Sequence, residues 1–184
     1  MKIQLTDSKE KFKKIIPILA QIFLPVIVIV LVIQFAFMGA TVYSESMQPT
    51  LNKGTKIVIN KLAYTKKSVK RGDIIAYSED GRLLVKRVVG MPGETVRFQD
   101  GFVIVDDKVY EEGYLGKNVE TNTNEKFEVP KGAYFVLGDN RENSFDSRYA
   151  AMTYVKKKNI KGKVILSLGK GTTAITKKIK TSED

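Results

Sequence analysis

The chain has 184 residues, with 31 Lys and Arg against 20 Asp and Glu for a formal charge of +11, and it contains neither Cys nor His. The length fits one domain plus an appendage. The missing cysteines exclude disulfides and thiolate sites, and the missing histidines exclude Ser-His-Asp catalysis, His-ligated metals and imidazole acid–base chemistry, so any hydrolytic mechanism here needs another base.

Residues 1–14 are polar, with five lysines (Lys2, Lys9, Lys11, Lys13, Lys14) against Asp7 and Glu10, a net charge of +3. Residues 15–38 then form an uncharged run of 24. As a helix rising ~1.5 Å per residue it reaches roughly 36 Å, enough for a ~30 Å hydrocarbon core with some tilt. Pro25 predicts a kink, and Gln21 and Gln34 are tolerable interruptions. The run is longer than a signal-peptide core, although Met38-Gly39-Ala40 leaves small residues at its end, and it lacks the polar face of a buried core helix. A permanent anchor is the expectation. The lysines before it hold the N-terminus in the cytoplasm and send the remainder outside. The +8 of residues 41–184, 26 basic against 18 acidic, does not reverse this, because long domains translocate largely regardless of charge.

Beyond the anchor the pattern is β. Short apolar runs at 56–60, 73–77, 82–89, 95–98, 102–105, 108–110, 133–137 and 163–168 predict strands, with a hairpin turn at Asp106-Asp107 and a break at Gly90-Met91-Pro92-Gly93. Many short strands with Gly and Pro turns predict a mainly β fold, antiparallel sheets in a sandwich or partly open barrel, behind one transmembrane helix. No helical pattern of useful length stands outside the anchor. The expected divisions are a cytoplasmic segment 1–14, an anchor 15–38, an extracytoplasmic β domain 39–169 with a polar excursion at 111–130, and a basic tail 170–184. The densest cation clusters are Lys66-Lys67-Ser68-Val69-Lys70-Arg71 and Lys156-Lys157-Lys158. Such charge suits a nucleic-acid surface, an anionic membrane surface or a plain solvated face.

Three stretches carry candidate chemistry. Ser44-Glu45-Ser46-Met47-Gln48-Pro49-Thr50-Leu51 follows the anchor directly. A Ser beside a Pro is ordinarily a turn residue, so a nucleophilic Ser46 requires a base. Lys86 is the candidate, because Leu83, Leu84, Val85, Val88 and Val89 surround it. Strand alternation places Leu84, Lys86 and Val88 on one face and Val85, Arg87 and Val89 on the other. At least one of Lys86 and Arg87 therefore sits on a mostly buried face, unless both snorkel from an edge strand. Burial disfavours an ammonium and lowers its pKa, which makes a Ser-Lys pair competent for acyl transfer. The third stretch, Gly138-Asp139-Asn140-Arg141-Glu142-Asn143-Ser144-Phe145-Asp146-Ser147-Arg148, reads as an Asx-rich turn or as a supporting shell. In the second reading Ser144 accepts a hydrogen bond from Lys86, and Asp146 and Arg148 brace the loop by an ion pair to each other or to a neighbour.

Together these stretches, with Arg71-Gly72-Asp73-Ile74 and the run from Val85 to Gly93, resemble the type I signal peptidases, in the order found in that family and across nearly the whole β domain. The short loops and single anchor look like the compact form of Gram-positive bacteria. The resemblance implies a membrane-anchored serine endopeptidase that cleaves signal peptides from exported preproteins after small residues of Ala-x-Ala type. It implies Ser46 as nucleophile and Lys86 as general base. The Ser46 N–H and the Ser44 hydroxyl would form the oxyanion hole, with Ser144, Asp146 and Arg148 as supporting residues. It implies no metal or organic cofactor. Preproteins and the lipid bilayer are the expected partners, and nucleic acid is not. Residues near Ile57, Leu84 and Val85 are candidates for the substrate pockets. The rivals are a self-cleaving Ser-Lys repressor, a non-catalytic tethered β domain and a basic nucleic-acid-binding module. The first needs a DNA-binding helical domain, the second is expected to lack Ser46 or Lys86, and the third needs no apolar run.

Overall fold

The computed structural model describes residues 4–115, 125–152 and 154–169, and of residues 4–15 and 18 the backbone. The chain divides into two units, one up to Phe37 and one from Met38 onward. The first is a single helix, α1 (Gln4–Ala36), whose stretch Leu19–Ala36 is long and apolar enough to cross a membrane. It starts well before the uncharged run and continues through Pro17 and Pro25. The end of that run, expected as helix, is instead strand, because Phe37 opens β1 (Phe37–Thr41).

The second unit contains two antiparallel sheets, neither closed into a barrel. The larger is formed by β1, β2 (Lys56–Asn60), β3 (Ile74–Glu79), β4 (Arg82–Gly90), β9 (Ala133–Leu137), β10 (Val155–Lys156) and β11 (Ile160–Leu168). Its spatial order is β1-β2-β11-β3-β4-β9-β10. The smaller sheet orders β7 (Lys108–Tyr110), β6 (Phe102–Val105), β5 (Thr95–Gln99) and β8 (Lys126–Glu128). The predicted turn between β6 and β7 is present, with Asp106 and Asp107 both in the left-handed region that tight hairpin turns require. Strands β1, β8 and β10 go beyond the sequence prediction. Each is short and lies at the edge of its sheet, where a half-paired strand needs little apolar alternation.

Alternation along β3, β4 and β9 sorts side chains onto the two faces of the larger sheet. Ile75, Tyr77, Val88, Tyr134 and Val136 form one buried cluster, with Leu84 packed against it. The other face carries two clusters. Ile74 and Ala76 join Met47, Leu51, Ile57 and Ile59 in one, with Val85 against it. Val89, Phe135 and Leu137 join Val96, Phe98, Val103 and Phe127 of the smaller sheet in the other. Gly90 lies where the two sheets meet: a Cβ there would stand 2.6 Å from Val96 Cγ2 and 2.9 Å from the Phe135 Cβ. The segment 111–130, expected as a polar excursion, contributes Tyr114, Phe127 and Val129 to this core, while its residues 116–124, like the tail 170–184, lie outside the described residues.

Candidate active site

The segment from Ser44 to Leu51 is pinned from both ends. Met47 and Leu51 are buried in the cluster under β2 and β3, and the Leu51 N–H donates to the Met47 carbonyl at 2.8 Å. The loop after β9 holds the other side: the Asn140 N–H donates to the Ser46 carbonyl at 3.0 Å, and Asn140 Nδ2 donates to the Glu45 carbonyl at 3.3 Å. Ser46 is thereby presented, buried, to the middle of β4.

Lys86 meets it there. Its Nζ donates to Ser46 Oγ at 2.6 Å across 40 residues of sequence. Ser44 Oγ is 3.1 Å from the same oxygen. The Ser46 amide N–H has no acceptor among the described residues. Lys86 is 5% exposed, pairs across the strands with Ile75 and shares a face with Leu84 and Val88. No carboxylate forms an ion pair with it among the described residues. Burial therefore dominates and pushes the amine down to about 8, against the pull of Asp146 and Asp139 and with help from Arg148. A hydroxyl hydrogen-bonded to an amine that is partly neutral at mild pH is an activated nucleophile.

Asp146 and Arg148 do form the expected pair. Arg148 Nε donates to Asp146 Oδ1 at 2.8 Å and Nη2 to Oδ2 at 3.0 Å. Asp146 also accepts the Gly138 N–H at 3.0 Å, and Arg148 donates to the Arg141 carbonyl at 2.8 Å, so the pair ties both ends of the loop together. The expected hydrogen bond from Lys86 to Ser144 is not formed. The Lys86 amine is turned to Ser46, and the Ser144 hydroxyl is buried without a hydrogen-bond partner. Ser144 packs instead over Gly138, where a Cβ would stand 2.1 Å from Ser144 Oγ and 2.4 Å from the Ser46 carbonyl oxygen.

Arg87, on the opposite face of β4, is 3% exposed. Its Nε and Nη2 grip Asp139 at 2.8 and 2.6 Å, Nη1 donates to the Gly72 carbonyl at 3.0 Å, and its guanidinium lies 3.8 Å over the Tyr114 ring. Burial alone would lower its pKa, but the hydrogen bond and charge of Asp139 raise it overall. Beside it Arg141 pairs with Glu112, donating from Nη1 at 2.7 Å. Sequence reasoning left Asp139, Glu112 and Tyr114 without roles. The signal available was an Arg beside the candidate Lys on a strand too apolar to leave both exposed.

A cleft of about 440 Å³ opens over the pair, lined by Ser44, Ser46, Lys86, Leu84, Phe145 and Met152 among others. Of the three candidate pocket residues, Leu84 lines it. Ile57 is in the core, and Val85 packs on the other face against the same cluster.

The comparisons with known proteins place the chain in a family. The chain matches the family described as signal peptidase, peptidase S26, over residues 15–168. Signal peptidase I V of Bacillus subtilis (strain 168) is 36% identical over 154 residues, 74% of this chain and 90% of that protein. Signal peptidase I T of the same strain is 38% identical over 138 residues, 69% of this chain and 72% of that protein. A protein named inactive signal peptidase IA, from Staphylococcus aureus (strain N315), is 28% identical over 161 residues, 84% of this chain and 91% of that protein. The crystal structure of a signal peptidase I from Enterococcus faecalis V583 superposes with a TM-score of 0.47 at 34% identity, over 54% of this chain and 98% of that one. The chain belongs to the signal peptidase family, peptidase S26, a family of serine peptidases.

Proposed function

We propose that this family member is a membrane-anchored endopeptidase that removes signal peptides from exported preproteins, with Ser46 as nucleophile and Lys86 as general base. One observation carries the reading: a buried amine with no ion pair among the described residues, 2.6 Å from a serine hydroxyl. Because a relative named as inactive matches this chain too, that pairing bears more on activity than family membership does.

Neutral Lys86 takes the Ser46 hydroxyl proton as Oγ attacks the scissile carbonyl. The free Ser46 N–H, with the Ser44 hydroxyl beside it, is positioned to stabilise the oxyanion; losing one such donor commonly costs ~10²–10³ in rate. The protonated lysine passes its proton to the leaving amine as the C–N bond breaks. An ester on Ser46 remains. Lys86, neutral again, takes a proton from water as the water attacks this ester, and returns it to Ser46 Oγ as the acid departs. The loop braced by Asp146 and Arg148 fixes the Ser46 carbonyl through Asn140, and Ser144 fills the space beside Gly138. Small side chains before the cut suit a cleft whose apolar wall includes Leu84, Phe145 and Met152. The helix α1 acts as the anchor, residues 1–14 stay in the cytoplasm, and the β domain works outside. Confining enzyme and substrate to one membrane surface raises their effective concentration.

The test is cleavage of a preprotein by the detergent-solubilised chain. Release of a mature product cut after a small residue is expected, and none from the Ser46→Ala variant. Cleavage that survives Ser46→Ala would contradict the assignment.

A further inference from the structure

The cleft over Ser46 shares part of its lining with a second cleft, of about 560 Å³: Glu79, Ala151 and Met152 line both. Four lysines line the second: Lys131, Lys156, Lys157 and Lys158. All four are exposed, and none is ion-paired among the described residues. The backbone of two of them is held against β9 and the turn before it. Lys156 pairs with Ala133 across β9 and β10, and the Lys157 N–H donates to the Gly132 carbonyl at 3.0 Å. The one carboxylate lining this cleft, Glu79, accepts from Asn159 Nδ2 at 3.5 Å. The chemistry at Ser46 makes no use of this cluster, one of the two densest in the sequence.

We propose that the second cleft binds an acidic stretch of the substrate polypeptide, on the portion that follows the cut. This rests on the reading of the chain as a signal peptidase. A hydrated lysine rim is a poor surface for the hydrophobic segment that precedes the cut, since burying ammonium groups against it desolvates them. Carboxylates on an extended chain leaving the Ser46 cleft instead meet four exposed cations with no ion pair among the described residues, and complementary charge both speeds encounter and favours the matching partner. The rim is a specificity-determining surface rather than part of the chemical step.

The test uses the full chain in detergent and two preproteins that differ only after the cut, one carrying three Glu and the other three Gln, with the triplet moved stepwise away from the cut. At its best position the Glu substrate is expected to be cleaved with roughly fivefold higher kcat/KM at low salt, expressed in KM, as a few solvent-exposed ion pairs allow. High salt should erase the difference. The triple variant Lys156→Gln, Lys157→Gln, Lys158→Gln should lose the preference, and Lys66→Gln, Lys67→Gln, Lys70→Gln should keep it. Equal kcat/KM for the two substrates in the unaltered chain at every position, or a preference that persists in the first triple variant, would overturn the proposal. So would a first triple variant slowed equally on both substrates in anionic vesicles and on neither in detergent, which assigns the lysines to lipid headgroups. If the unaltered chain cleaves neither preprotein, the signal-peptidase reading itself fails.

Discussion

Lys86 and Arg87 are adjacent on one strand and almost equally buried, yet their surroundings are opposite in kind. Around Arg87 the fold gathers the Asp139 carboxylate, the Gly72 carbonyl and the Tyr114 ring. Around Lys86 it gathers Ile75, Leu84, Val88 and the Ser46 hydroxyl, and the carboxylates of Asp146 and Asp139 act on it without an ion pair among the described residues. The first environment keeps a charge and makes it structural. The second disfavours a charge and makes the amine a base. Burial alone does not decide the role of a basic side chain; the presence or absence of a counter-ion does.

The largest effect should come from making the Lys86 side resemble the Arg87 side. Lys86→Arg installs a cation that does not deprotonate usefully, and preprotein cleavage should fall by ~10³-fold or more. A rate close to that of the unaltered chain would break the comparison at its centre. The converse change removes the counter-ion from the other side. Asp139→Ala leaves the Arg87 guanidinium buried and unpaired, and denaturant unfolding should show a loss of about 3–5 kcal/mol.

A smaller and pH-dependent effect sharpens the contrast. The folded chain holds Lys86 near 8, below its ordinary 10.5. Between those values the unfolded chain binds more protons than the folded one, so stability rises with pH across that window. Below it the full cost of burying the amine is present. Lys86→Met should therefore stabilise the fold near pH 7 by about 2 kcal/mol, the depressed pKa at ~1.36 kcal/mol per unit less one lost hydrogen bond. The gain should shrink toward pH 10.5, as urea unfolding at several pH values would reveal. An effect on stability of similar size and opposite sign is expected at Gly138. A methyl there collides with the Ser144 hydroxyl and the Ser46 carbonyl, and overpacking of this kind costs about 1–3 kcal/mol. Gly138→Ala should lower kcat more than this stability loss accounts for, because it displaces the nucleophile's own backbone.

Much of this could be read in the residues. Eight strands, the tight Asp106-Asp107 turn and the uncharged run follow from period-two alternation and charge counting, which are local signals. That at least one of Lys86 and Arg87 is buried was legible from their apolar neighbours; that both are was not. Their division of labour was not legible either, because it depends on Asp139, 52 residues beyond Arg87, and on Tyr114, in a segment too polar to mark as core. The same distance hid the Arg141–Glu112 pair, 29 residues apart. The packing of Ser144 over Gly138 also escaped, since a loop's side-chain directions are set by backbone turns rather than by residue type.

The most direct measurement is the titration of Lys86 itself, followed by the ¹³Cε resonance of labelled lysine in the full chain and assigned by its disappearance in Lys86→Arg. A midpoint near 8 is expected. A midpoint at the ordinary 10.5 would mean that the amine is charged whenever the protein works, and that it is not the base.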